Sequence, residues 1–182
     1  MRRQRAVLMA VATAAVLLAG CTRAVKETVG LGRGAKGVYA EVQPVGLTKD
    51  DKPLGVYGRF EMAQPVDDTG QKTPPEFYGL LESEFNKQLA GSGLPDRPGA
   101  NTLLARVTIL HFELAGALGH AFGPFEEVVA RVELVDKKSG RVLGKANCIG
   151  RSNESVNKGV PKKAEGLAEA VINWIKSRYP TQ

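Results

Sequence analysis

The sequence of 182 residues contains only two cysteines and two histidines. That number is too small for a disulfide framework or a histidine-rich metal site. Beyond the N-terminus there is no apolar run of about 18 residues, which excludes a protein that crosses a membrane several times. Aromatic residues make up 6% of the chain and the basic residues are scattered, so a nucleic-acid-binding face is not expected. What remains, 43% hydrophobic and 24% charged residues, is the composition of a globular domain.

The first 20 residues have the pattern of an export signal. Arg2, Arg3 and Arg5 precede an uncharged, mostly apolar stretch, residues 6–20. As an α-helix this stretch would be about 22 Å long, which is shorter than the hydrocarbon core of a bilayer at about 30 Å. We therefore expect residues 1–20 to be a cleaved signal peptide rather than a permanent membrane span.

The end of this segment carries a more specific pattern. The sequence Leu18-Ala19-Gly20-Cys21 resembles the lipobox of bacterial lipoproteins. The resemblance implies cleavage between Gly20 and Cys21, a lipid on the Cys21 sulfur and an acyl chain such as palmitate on its new amino group. The alternative is an ordinary secretory signal that happens to contain a cysteine.

The residue after the cysteine bears on the destination of the protein. In Gram-negative lipoproteins an aspartate there tends to retain the protein at the inner membrane, and this chain has Thr22. By that resemblance we expect an anchor in the outer membrane, on its periplasmic face. In an organism without an outer membrane, the expected place is the outer face of the cytoplasmic membrane.

Residues 21–37 are rich in glycine and basic residues and show little periodicity. A phosphate-binding loop would need a strand before the glycines and a helix after them, and the sequence predicts neither. We interpret residues 21–37 as a lipidated tether. The remaining residues, 38–182, are expected to form a single domain.

The pattern of this domain predicts the order β-β-α-β-β-β-α. Strands are predicted over 38–45, 54–62, 103–114, 127–136 and 141–151, and helices from Thr73 to about residue 90 and over 161–179. Thr73 and Glu76 fit a capping box, and Asp136 to Gly140 fit a hairpin turn. The expected fold is a two-layer α+β sandwich, in which two amphipathic helices pack on a mainly antiparallel sheet of about five strands.

One segment between two predicted strands is unusually apolar for a loop. Residues 115–125 contain Leu118, Phe122 and Phe125 among three glycines. They could continue a strand with a bulge, or fold over the sheet edge. The functional alternative is a contact loop for another envelope protein or a lipid surface.

Cys148 is the only cysteine left once Cys21 is lipidated. Its place within a predicted strand favours a buried, unreactive side chain, whereas a lone thiol in an oxidising compartment is also a possible nucleophile. The sequence leaves open whether it pairs with His111 or His120. These three residues lack any known metal-ligand spacing, so no metal or cofactor is expected, and no catalytic residue is assigned.

Residues 57–152 resemble uncharacterised bacterial lipoproteins of the domain-of-unknown-function kind. The resemblance rests on the sequences FNKQL (85–89) with Gly93, LLARV (103–107), VELVD (132–136), Ser139-Gly140 and VLG (142–144). Such families lack an assigned catalytic residue, so none is carried over.

The sequence therefore predicts a non-enzymatic, lipid-anchored envelope protein whose small domain binds another envelope component. A second hypothesis is a binder of lipid or another amphiphile in a groove between the helices and the sheet. A third is a thiol enzyme built on Cys148.

Overall fold

The computed structural model describes residues 36–48, 50–113, 126–152 and 159–180. They form six strands, two α-helices and one short 3-10 helix. In chain order these are β1 (Lys36–Gln43), the 3-10 helix (Pro53–Val56), β2 (Arg59–Met62), β3 (Val66–Asp67), α1 (Glu76–Ala90), β4 (Thr102–Phe112), β5 (Glu126–Asp136), β6 (Val142–Ser152) and α2 (Val160–Ser177).

All six strands belong to one sheet with the order β1-β6-β5-β4-β2, and β3 also pairs with β4. The pairs β1–β6, β5–β6 and β4–β5 are antiparallel, whereas β2 and β3 run parallel to β4. The expected α+β fold with a mainly antiparallel sheet is confirmed, with one strand more than predicted. The additional strand, β3, is only two residues long.

The sheet is apolar on one face because its long strands alternate. In β4, Leu103, Ala105, Val107 and Ile109 are buried, and the residues between them are more exposed. The turn between β5 and β6 forms as predicted: Ser139 N–H donates to the Asp136 carboxylate over 2.6 Å, and Gly140 has a φ of +74°. Such a φ favours glycine because it has no Cβ.

Both helices pack on this apolar face. Helix α1 buries Phe77, Leu81 and Phe85, and the largest buried side chain of α2 is Trp174. Two glycines that face each other across β1 and β6, Gly37 and Gly150, allow α2 to approach the sheet. A Cβ atom on Gly37 would lie 2.2 Å from the backbone nitrogen of Ala170, and one on Gly150 would lie 2.4 Å from that of Leu167. The axis of α2 therefore passes over the space between β1 and β6.

The predicted strand over residues 54–62 is wrong in its first half. Pro53 begins a 3-10 helix, and only residues 59–62 pair with β4. The physical reason is that the segment crosses under the end of α2 instead of lying in the sheet. Leu54 N–H donates to the carbonyl oxygen of Arg178 over 3.2 Å, which fixes this crossing.

The predicted capping box at Thr73 is also wrong. Helix α1 begins at Glu76, and its N-cap position is occupied by Pro75, with no side-chain hydrogen bond. The Thr73 hydroxyl instead donates to the carboxylate of Asp67 over 3.0 Å. A charged acceptor forms the stronger hydrogen bond, so Thr73 ties β3 to the helix entrance.

Candidate functional site

Several residues that the sequence singles out lie outside the described residues. These are Gly20 and Cys21 of the predicted cleavage and lipidation site, Leu118, Phe122 and Phe125 of the predicted contact loop, and His120. Their predictions therefore stay predictions. Within the described ranges, no helix has the length and apolar character needed to cross a membrane.

Cys148 lies on the buried face of β6, opposite Tyr39 of β1 and Ala130 of β5. The residue is fully buried, and this burial raises the pKa of its thiol to about 12. His111 is exposed on the other face of the sheet, because it pairs with Val129, which alternates with the buried Ala130. The structure therefore does not bring His111 to Cys148, and the environment of the thiol is that of a packed core residue.

Lys163 is buried in the first turn of α2, which is unusual for a lysine. Its ammonium group donates to the carbonyl oxygen of Glu113 and lies 4.6 Å from the centre of the Phe112 ring. Both contacts stabilise a positive charge in a protein interior. We interpret Lys163 as a structural link between α2 and the end of β4.

A buried polar cluster lies where β1 meets the end of α2. Arg178 donates from Nε to Glu41 Oε1 over 2.9 Å and from its second terminal nitrogen to Glu41 Oε2. Trp174 Nε1 also donates to Glu41 Oε1, over 2.8 Å. Burial alone would raise the pKa of Glu41, but the hydrogen bonds from Arg178 and Trp174 outweigh it and hold this pKa below its ordinary value.

The same arginine fixes the loop after β1. Its remaining terminal nitrogen donates to the carbonyl oxygen of Thr48 over 2.7 Å. The Asp51 carboxylate accepts hydrogen bonds from the backbone N–H groups of Leu47 and Thr48 over 2.7 and 2.8 Å. Gly46 makes the turn possible with a φ of +91°. The loop thus holds Leu47, 97% exposed, at its tip.

Two shallow concavities flank Arg178. One, of about 340 Å³, is lined by Tyr39, Glu41, Ser177 and Arg178. The other, of about 420 Å³, is lined by Glu41, Pro44, Leu47, Thr48 and Arg178. The charges in both are already paired with each other, so they are suited to contact with another molecule more than to acid–base chemistry.

Both concavities lie beside an open edge of the sheet. Among the described strands, β1 pairs with β6 alone, and the N–H of Gly37 points away from β6 because it donates to Glu169 Oε2 over 2.8 Å. Backbone groups alternate in an antiparallel strand, so those of Tyr39 and Glu41 point the same way. Among the described residues, no hydrogen bond reaches the N–H groups of these two residues from that side.

A row of apolar side chains lies on the face of the sheet that the helices do not cover. Val38, Ile149 and Val129 form a row across β1, β6 and β5, and Leu110 of β4 lies beside it. Ion pairs border this row, with Arg151 Nε 3.1 Å from Glu127 Oε2 and Lys145 Nζ 2.7 Å from Glu133 Oε1. The sequence does not predict this apolar row. Alternation shows which residues of one strand share a face, but only the pairing of the strands places Val38, Ile149 and Val129 side by side.

Comparisons with known proteins bear on the fold. No family model matches the sequence, and no curated protein matches it. A PelC dodecamer from Paraburkholderia phytofirmans is similar with a TM-score of 0.50 at 13% identity, over 80% of this chain and 99% of that one.

Two further solved structures are similar at lower scores. A DUF330 protein from Xanthomonas campestris has a TM-score of 0.42 at 14% identity, over 76% of this chain and 91% of its own. The lipoprotein GNA1162 from Neisseria meningitidis has a TM-score of 0.40 at 15% identity, over 65% of this chain and 98% of its own. At these identities the PelC comparison shows the fold alone.

Proposed function

We propose that this chain is a lipid-anchored lipoprotein of the bacterial cell envelope, without enzymatic activity, whose folded domain binds another envelope component. The observation that carries the proposal is the sequence Leu18-Ala19-Gly20-Cys21 at the end of a short basic and apolar segment. This pattern supplies both a cleavage site and a thiol at the new N-terminus.

Fatty chains at Cys21 would hold the domain at a membrane. Each buried methylene contributes about 0.8 kcal/mol, so one acyl chain binds only marginally and two or three bind stably. The residues before β1, 22–35, could reach about 50 Å if fully extended, and less as a flexible coil. Confinement to one membrane raises the effective concentration of any partner in the same bilayer.

The described residues that flank the predicted contact loop, at the end of β4 and the start of β5, lie at one end of the sheet. The chain leaves the sheet at Glu113 and returns at Glu126. The register pairs Glu127 with Arg151 and Arg151 with Lys36, so this is also the end at which the chain enters β1. We propose Leu118, Phe122 and Phe125 as contact residues for the envelope partner.

The alternative of amphiphile binding between the helices and the sheet finds less support. In the part of the chain that the structure describes, that space is filled by fully buried side chains, among them Trp174, Phe77 and Phe85. The two concavities beside β1 are open and carry paired charges instead. Ligand pockets are usually concave and mostly apolar.

Fractionation of cells tests the anchor. We expect the Cys21→Ser variant to move from the membrane to the soluble fraction and to lose incorporation of an alkyne-labelled fatty acid. The matched control, Cys148→Ala, should keep both membrane association and label. If Cys21→Ser stays in the membrane fraction after a high-salt wash, Cys21 is not the anchor and the proposal fails.

A further inference from the structure

We propose that two copies of this chain associate through their β1 strands, which pair antiparallel about a two-fold axis at Ala40. The proposal goes beyond the lipid anchor and does not depend on it. It rests on five residues of β1, Val38 to Val42 inclusive, which we call the open window.

The open window is bounded on both sides. At its start, the carboxylate of Glu169 already occupies the N–H of Gly37. At its end, the pairing with β6 is irregular between Glu41 and Gln43, where the strand departs from regular geometry. The window therefore has five residues, and an odd number of residues places its centre on one residue, Ala40.

The backbone of the open window is complementary to itself. Tyr39 and Glu41 direct their N–H and C=O groups outward, one residue on each side of Ala40. A two-fold axis at Ala40 places Tyr39 opposite Glu41 of the partner subunit, and each such pair can exchange two hydrogen bonds. The two pairs together would satisfy all the outward groups of both windows.

The side chains on the uncovered face also match. In this register Val38 lies opposite Val42 of the partner subunit, and the two valines are 39% and 55% exposed in the single chain. Ala40 lies opposite the partner subunit's Ala40, at a non-hydrogen-bonded position where the backbones are closest. A small side chain at that position suits the close approach, and paired valines stabilise a sheet.

The helices leave room for this pairing. Gly37 of β1 and Gly150 of β6 contact α2 about equally closely. The axis of α2 therefore lies about half a strand spacing from β1, displaced toward β6 and away from the open edge. Two copies joined at a strand spacing of about 4.8 Å would place their α2 axes about 10 Å apart, within the range of packed helices. The facing side of α2 carries Glu169 and Lys176, so antiparallel helices would bring charges of opposite sign together.

Nothing within the window opposes a second strand. It contains no proline, and its one charged side chain, Glu41, points inward to Arg178. An unblocked edge strand of this kind is a template for another strand. The concavity lined by Tyr39, Glu41, Ser177 and Arg178 lies next to the place where the partner subunit's Tyr39 and Glu41 would lie.

Disulfide trapping of the full-length protein in mild detergent tests the register. In the Ala40→Cys variant the two introduced thiols would face each other at about 4.5 Å between Cα atoms, which suits a disulfide. In the matched control, Val42→Cys, the two thiols would be about 14 Å apart. We expect Ala40→Cys to form a covalent dimer at least tenfold faster than Val42→Cys, and an equal mixture of Val38→Cys and Val42→Cys proteins to crosslink.

Measurement of mass in solution tests the association itself. We expect the unmodified protein to be a dimer, the double variant Val38→Lys and Val42→Lys to be a folded monomer, and the control Leu47→Lys to stay dimeric. A monomeric unmodified protein, or equal trapping of Ala40→Cys and Val42→Cys, would overturn the proposal. So would capture in cell membranes of a different protein, rather than a second copy, by Ala40→Cys. Repetition with Cys21→Ser separates this result from the lipid anchor, because we expect that variant to dimerise as well.

Discussion

The carboxylate of Glu41 and the guanidinium of Arg178 form a two-pronged ion pair that joins the edge strand β1 to the end of helix α2. The side chain of Arg178 is only 5% exposed, so this pair is shielded from water in a way that surface pairs are not. The same arginine binds the carbonyl oxygen of Thr48. One side chain therefore holds a strand, a helix end and a loop in place.

Removal of the Arg178 side chain should destabilise the folded protein. Loss of one partner from a buried pair leaves an uncompensated charge and typically costs about 3–5 kcal/mol. We expect Arg178→Ala to lower the free energy of unfolding in urea by about 3 kcal/mol. The control, Arg59→Ala, removes a half-exposed partner of Glu61 and should cost at most about 1 kcal/mol. If both variants lose the same free energy of unfolding, the burial of the Arg178 ion pair does not make it more stabilising than an exposed pair.

The same pair predicts a dependence of stability on pH. Since its hydrogen bonds hold the folded-state pKa of Glu41 below its ordinary value of 4.5, the carboxylate contributes stability above that pH. This contribution is lost as the pH falls through the lowered pKa. We expect the difference in unfolding free energy between the unmodified protein and Glu41→Gln to be constant from pH 7 to about pH 5 and to shrink below about pH 4.

A second variant isolates this effect. Glu82→Gln, at an exposed position of α1, removes the same charge without breaking the buried pair. Its stability relative to the unmodified protein should change much less between pH 7 and pH 4. If the two variants follow the same pH profile, the effect belongs to net charge and not to the contact with Arg178.

The sequence predicts the parts of this fold that local patterns control. Alternation predicts β4, β5 and β6, and the residue types from Asp136 to Gly140 predict the turn between the last two, which the hydrogen bond from Ser139 confirms. The two helices follow from their apolar spacing, within three residues at each end. These elements are predictable because the conformation of each residue in them follows from the pattern of its near neighbours in the chain.

The features that the sequence does not predict depend on distant residues. Glu41 and Arg178 are separated by 137 positions, so no local pattern connects them. The segment from Pro53 to Val56 alternates well enough for a strand, but its backbone is fixed by Arg178 and forms a 3-10 helix. The open edge of β1 is likewise known only once the order of the strands is known.

The contact between α2 and the sheet depends on two glycines. A Cβ at Gly37 or Gly150 would fall within 2.5 Å of the helix backbone, which cannot move without shifting the whole helix. We expect Gly37→Ala and Gly150→Ala each to lower the thermal midpoint strongly or to prevent folding. The control is Gly79→Ala in α1, where the added methyl group would meet no side chain and no other element within 4 Å beyond its own helix turn. That variant should gain about 0.5–1 kcal/mol, because alanine favours a helix.

The environment of Cys148 predicts that its thiol reacts only when the protein unfolds. Burial raises its pKa to about 12, so almost no thiolate exists at pH 8, and the side chain has no exposed surface. We expect a disulfide reagent such as dithionitrobenzoate to modify Cys148 of the native protein at a rate that increases with urea in parallel with unfolding. An added thiol in Leu47→Cys, at the 97% exposed tip of the loop after β1, should react at least about a hundredfold faster under native conditions. Rapid modification of Cys148 in the native protein, at a rate that does not depend on urea, would instead favour a thiol enzyme, because a catalytic cysteine must be both ionised and accessible.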